Sequence, residues 1–196
     1  MKLTLIRHGM TRGNALRIYY GSSDLPILPE SFTELQARAA GGFYPTAEKY
    51  YTSGMLRAEQ SFRAIYGDTP HGTLPGMREA CFGDFEMRSY EELKDDPAFI
   101  EWCSGDNEKN ICPNGESGEQ VTARALNALE PIIAAGHDTV IVTHGGVIGG
   151  VLSHYFPNPN GRFAFTPAPG DGFTVEFSDT TPTAIFRLSE LYGGKA

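Results

Sequence analysis

A chain of 196 residues has the length of one domain, and with 40% hydrophobic residues it can bury a substantial core. Sixteen Lys and Arg against 24 Asp and Glu leave a net charge of −8, which argues against nucleic acid or an anionic membrane as a partner. The three cysteines, Cys81, Cys103 and Cys112, lack metal or C-x-x-C spacing and read as reduced thiols of a cytoplasmic protein.

Leu3 to Ile6 is a short apolar run and predicts a buried strand over 2–6. It is too short for a signal sequence, and Arg7 interrupts it. A short helix near 11–17 follows, then a helix over 31–41 stopped by Gly41-Gly42. Tyr50-Tyr51-Thr52 reads as a strand, 56–66 as a helix ended by Gly67, and Thr73-Leu74 as the start of a third strand. Ser89 to Cys103 carries two short helices around Pro97, and 105–115 is a Gly/Asn/Pro-rich loop. Ser117 to Ala135 is the longest helical pattern. A strand over 139–143, a helix over 146–156 and a hairpin from 173–177 and 183–188 complete the chain. Strands alternating with helices predict an α/β fold: a three-layer α/β/α sandwich whose mostly parallel sheet has helices on both faces. No apolar stretch approaches membrane-spanning length.

Two of these strands end alike. Arg7-His8-Gly9 follows the first, and His144-Gly145-Gly146 follows Thr139 to Thr143. Open α/β sheets place ligand crevices at the C-terminal ends of their strands, so two such ends can converge. Arginine offers a planar fork to phosphate oxygens, and an imidazole can attack phosphorus. The glycines after His144 also suit a dinucleotide loop, but no acidic residue lies at the required distance, so close packing of the helix on the sheet is the preferred reading.

With these blocks in order, the chain resembles the histidine phosphatase superfamily, the phosphoglycerate-mutase-like fold. Leu5 to Asn14 is similar to that family's L-x-R-H-G-x-T-x-x-N, and Tyr51 to Ala58 to its second arginine segment. Met77 to Glu86 resembles L-x-E-x-x-F-G-x-x-E, Pro113 to Ser117 resembles P-x-G-E-S, and Thr143 to Gly146 resembles the second-histidine segment. Tyr20 to Leu28 begins like the family's G-x-x-D-x-P-L and then departs from it at Glu30 to Ala37. The resemblance implies a single histidine-phosphatase-like domain over 1–196, with 87–116 as a small cap over the pocket. It also implies a phosphohistidine on His8 and no cofactor or metal; no His-x-x-x-His pair suggests a metal site either. Compact phosphatases such as α-ribazole phosphatase and broad phosphomonoesterases are similar in length.

The chemistry expected of these residues follows from the charge of a phosphate monoester, which a ring of cations must meet. Arg7, Arg57 and a protonated His144 are the expected ring, with Asn14, Gly145, Gly21 and Ser22 as further phosphate-binding candidates. His8 is the expected nucleophile, neutral at its attacking nitrogen. Glu79 is the expected acid, its pKa raised by burial and by the phosphate. Glu116 reads as a structural residue at a helix N-terminus, and Arg12 as a solvated side chain. Tyr90, Phe99, Trp102 and Met87 read as the cap's own core. The expected activity is metal-independent hydrolysis of a small phosphorylated metabolite. A phosphoglycerate-mutase-type phosphotransferase and a non-catalytic phospho-ligand binder are the alternatives, and a homo-oligomer stays open.

Overall fold

The computed structural model describes residues 1–106 and 108–193. Its first strand, β1 (Lys2–Arg7), is followed by α1 (Arg12–Leu16), β2 (Ile18–Tyr19) and α2 (Pro29–Ala40). Next come β3 (Lys49–Thr52), α3 (Leu56–Tyr66), β4 (Gly72–Thr73), β5 (Arg88–Ser89), α4 (Tyr90–Leu93) and α5 (Pro97–Cys103). The chain then runs through α6 (Gly118–Ala135), β6 (Thr139–Thr143), α7 (Gly145–Tyr155), β7 (Gly172–Ser178), β8 (Thr181–Arg187) and α8 (Leu188–Tyr192). The main sheet has the order β4-β3-β6-β1-β7-β8. Its first four strands are mutually parallel, and β7 and β8 add an antiparallel edge.

Side chains alternate across a strand, so a run apolar at every position is covered on both faces. Leu3, Leu5 and Ile141 face Val121, Ala125 and Leu129 of α6 and Val147 and Val151 of α7. Ile6, Val140 and Val142 face the other way, into Leu35 of α2, Phe62 of α3 and Leu188 of α8. Each such buried side chain contributes about 1.5–3 kcal/mol of transfer free energy. The three layers and the mostly parallel sheet match the expectation from sequence.

The local signals explain most boundaries. Ser117 caps α6 through the Gln120 amide, Gln120 caps back, and Gly136 closes the helix in the left-handed region at φ 72°. The second helix begins at Pro29, two residues before the sequence expectation, because proline suits the first helical position. The two-residue ribbon of β2 and β5, the 3₁₀ turn over Gly161–Phe165 and α8 carry too few residues for a periodic signal. A third small core of Phe85, Leu93, Phe99 and Cys112, flanked by Tyr19, Phe82 and Trp102, sits under that ribbon. It draws on residues outside 87–116. Of the four expected cap-core residues, Phe99 is buried there and Trp102 packs against it, whereas Tyr90 and Met87 are exposed.

Candidate active site

Register brings the two histidines together. β1 and β6 are parallel neighbours with Arg7 opposite Thr143, so the residues that follow, His8 and His144, leave adjacent strand ends. Their rings lie 5.2 Å apart, centroid to centroid, and both are buried. The His8 amide donates to the Thr143 carbonyl at 3.0 Å, fixing the turn. His8 Nδ1 lies 2.7 Å from the Gly9 carbonyl oxygen, which can only accept. The proton therefore sits on Nδ1, and Nε2 keeps its lone pair. Burial, then the Arg57 guanidinium, hold the His8 pKa well below the ordinary histidine range; the Gly9 carbonyl opposes them and Arg7 adds to them.

Arg57 is 0% exposed, so its charge must be met by hydrogen bonds. Its Nε donates to His144 Nδ1 at 3.2 Å, one terminal nitrogen to the Gly21 carbonyl at 2.8 Å, and the other to the Ser23 carbonyl at 3.1 Å. Asp24 lies 3.5 Å from the last of these, and its other oxygen accepts from the Leu56 amide at the start of α3. The Tyr20 ring lies beneath the guanidinium at 5.1 Å, and the Tyr20 hydroxyl shares a hydrogen bond with Thr11 Oγ1 at 2.6 Å. Burial lowers the Arg57 pKa, opposed by Tyr20, Glu79 and Asp24. An arginine remains charged through such a shift.

His144 departs from expectation. It accepts from Arg57 through Nδ1, and its Nε2 lies 2.8 Å from Ser53 Oγ. Burial, then the Arg57 charge, push its pKa well below the usual range. His144 is thus neutral in this geometry, because a ring that accepts from a guanidinium has no proton at that nitrogen. Its place is to orient Arg57.

Arg7 donates through one terminal nitrogen to the Pro167 carbonyl at 2.7 Å. Its Nε–H is buried and has no hydrogen-bond partner among the described residues. Glu79 reaches the site from the other side. Its carboxyl accepts the Ala80 amide at 3.0 Å and the Gly146 amide at 3.1 Å, the latter in the first turn of α7. A β-carbon at Gly145 would stand 3.1 Å from the Arg7 guanidinium, and one at Gly146 would stand 2.6 Å from the Glu79 carboxyl. These two glycines make room for site groups. Gly149 and Gly150 make room for the 161–166 turn and for Thr122 of α6. None of the four serves helix-on-sheet packing, contrary to the sequence expectation.

The remaining candidates divide. Asn14 Oδ1 accepts from the Thr11 amide and hydroxyl and closes a capping box around α1. The Gly21 and Ser22 amides both donate to the Glu86 carboxylate, at 3.0 and 2.9 Å, so they are committed away from phosphate. Arg12 is exposed, as expected.

Three groups escaped the sequence reading. Glu86 gathers the amides of Gly21, Ser22, Ser23 and Phe82. Burial raises its pKa, but the bonds from Ser23, Phe82, Gly21 and Ser22 together outweigh this and leave it below the ordinary value. By holding that loop, Glu86 holds the carbonyls that hold Arg57. Ser53 braces His144. Arg124 of α6 binds both oxygens of Glu116 and the carbonyls of Gly76, Arg78 and Glu79, while Glu116 also accepts the Cys81 amide. Glu116 is structural, as expected, yet it acts through Arg124 and Cys81, and the helix start belongs to Ser117. The only sequence trace of Glu86 and Ser53 was their place inside the motif blocks, and Arg124, in α6, had none.

Among the described residues no three His, Cys, Asp or Glu form a cluster suited to a metal ion, and no helix is long and apolar enough to cross a membrane.

Comparison with known proteins agrees with this geometry. The family model described as "Histidine phosphatase superfamily (branch 1)" matches residues 3–184. The adenosylcobalamin/alpha-ribazole phosphatase of Salmonella typhimurium (strain LT2) is 26% identical over 165 residues, 81% of each chain. A 2,3-bisphosphoglycerate-dependent phosphoglycerate mutase of Rhizobium etli is 25% identical over 162 residues, 74% of this chain and 76% of the mutase. The crystal structure of the alpha-ribazole phosphatase from Shigella flexneri superposes with a TM-score of 0.83 at 24% identity, covering 93% of this chain and 94% of that one.

Proposed function

Because this chain belongs to the histidine phosphatase superfamily (branch 1), we propose that it hydrolyses a small phosphorylated metabolite through a phosphohistidine on His8, without a metal. One observation carries the reading: a buried imidazole with Nδ1 tied to Gly9 and Nε2 bare, beside a buried Arg7 Nε–H that lacks an acceptor. A phosphate oxygen satisfies that N–H and brings phosphorus to the bare nitrogen.

The phosphoryl oxygens draw on Arg7, on the N–H groups Arg57 has left, and on the Gly145 amide at the start of α7. His8 Nε2 forms a bond to phosphorus as the bond to the ester oxygen breaks. Glu79 gives that oxygen its proton and leaves as carboxylate. In the second step Glu79 takes a proton from water, the water oxygen bonds to phosphorus, and the His8–phosphorus bond breaks. His144 and Ser53 keep Arg57 aligned throughout.

We read the whole chain as one domain, with 87–116 as its cap. The spacing of the three thiols supports a reducing, cytoplasmic setting. A pure binding protein needs neither nucleophile nor acid. A mutase needs a bisphosphorylated primer, which separates it in assay.

The test is release of phosphate from para-nitrophenyl phosphate with EDTA present. Turnover by the wild type that survives the chelator and is lost in His8→Ala supports the reading. Full activity in His8→Ala contradicts it.

A further inference from the structure

A cavity of about 530 Å³ opens from Glu79 and Gly146, on the side where the ester oxygen leaves. That volume suits a small organic group. Tyr19, Phe82, Trp102 and Phe163 all line it. Tyr19, Phe82 and Trp102 brace one another edge to face, with centroids 5.6, 6.0 and 6.2 Å apart, and so form a fixed wall.

Phe163 stands apart from that wall. It is 77% exposed, and no other ring meets it among the described residues. It is nevertheless held in place. Its neighbour Arg162 grips the Glu108 carboxylate through Nε at 2.5 Å and through a terminal nitrogen. The Thr166 hydroxyl donates back to the Arg162 carbonyl. A phenyl ring kept in water on a fastened turn, at a cavity with an aromatic wall, gains area when a flat apolar group enters.

The charges of the lining point the same way. Arg162 is committed to Glu108, and Glu116 to Arg124. Among the described lining residues no cation is left to receive a carboxylate or a second phosphate.

We infer that the phosphoester taken by this site carries a planar aromatic group, seated against Phe163, Trp102, Phe82 and Tyr19. The inference rests on the phosphatase reading for its orientation, with the phosphate at His8 and the ring beyond Glu79.

Benzyl phosphate and glycerol 3-phosphate, both alkyl esters, make the comparison. The wild type is expected to favour the benzyl ester in kcat/KM by about tenfold or more, the scale of one ring stacking on an aromatic side chain. Phe163→Ala, at an exposed position that does not carry the fold, should remove most of that ratio, and Trp102→Leu should reduce it independently. Calorimetric titration of both esters into the His8→Ala protein reads the same preference without turnover.

Equal kcat/KM and equal affinity for the two esters would overturn the inference. So would a preference untouched by both cavity variants. If neither ester is hydrolysed while the benzyl ester still binds more tightly, and Phe163→Ala abolishes that difference, the phosphatase reading falls and the aromatic site stands.

Discussion

Two regions meet at Glu79, and they are built on different principles. On one side lies the phosphate floor: buried His8 and His144 and half-buried Arg7 at the ends of the parallel strands β1 and β6, with buried Arg57 from the first turn of α3, held together by hydrogen bonds. On the other lies the cavity wall, assembled from β2, Phe82, α5 and the 161–165 turn, where aromatic faces stand half in water. The floor is over-determined by hydrogen bonds and so fixes one chemistry. The wall is held by ring packing and by the Arg162–Glu108 ion pair, away from the reacting atoms, and can select an ester without altering the reaction. Reaction and selectivity are therefore separable here, and mutations should divide accordingly.

Glu79→Gln gives the sharpest division. Loss of a general acid costs about 10²–10⁴-fold in rate. The loss should approach the upper figure for alkyl esters, whose alkoxides need a proton, and shrink for para-nitrophenyl phosphate, whose leaving group does not. A loss in kcat/KM equal for both esters would remove the acid role from Glu79. Arg57→Lys comes next. Lysine keeps the charge but cannot serve His144, Gly21 and Ser23 from one plane, so kcat/KM should fall about 10²-fold for every ester alike. A loss confined to aromatic esters would erase the boundary between floor and wall.

Glu86→Gln tests the support of the floor. A neutral amide cannot hold the amides of Gly21, Ser22, Ser23 and Phe82 as a carboxylate does. Stability should drop by about 2 kcal/mol, and the affinity for inorganic phosphate should weaken through Arg57. Unchanged phosphate affinity would show that the loop does not position Arg57.

The smallest effect concerns pH. His8 and His144 resist protonation in the folded protein, their pKa values lying well below the usual range. The unfolded chain takes up protons at these residues below about pH 6.5, while the folded one does not. Stability is therefore full above that pH and declines as pH falls, by at most about 1.4 kcal/mol per unit for each histidine. Thermal unfolding followed between about pH 7.5 and 5.5 should show a shallower decline in His144→Gln. An identical decline would mean that His144 is not held neutral.

Legibility in the sequence follows the same boundary. β1 and β6 were readable because their runs are apolar at nearly every position, and their shared His-Gly endings then located the floor. The boundaries of α3 and α6 were readable because Gly67, Ser117 and Gly136 carry capping chemistry in the chain itself. The partners of Arg57 were not readable. They are carbonyls and a ring nitrogen brought from 34 to 87 positions away, and a carbonyl has no sequence identity. The neutral state of His144 was missed for the same reason: it depends on which side of the ring the guanidinium occupies. Phe163 was missed because Phe163-Ala164-Phe165, set in a Gly/Asn/Pro-rich stretch, is too short to show a periodicity.

The most direct test of the central account is chemical trapping of the intermediate. The wild type is mixed with para-nitrophenyl phosphate, quenched in alkali, where phosphohistidine survives, and mapped by peptide mass spectrometry. The account predicts a phosphoryl group on His8 in the wild type and none in His8→Ala. A phosphoryl group on any other residue, or steady turnover with His8 never modified, would contradict it.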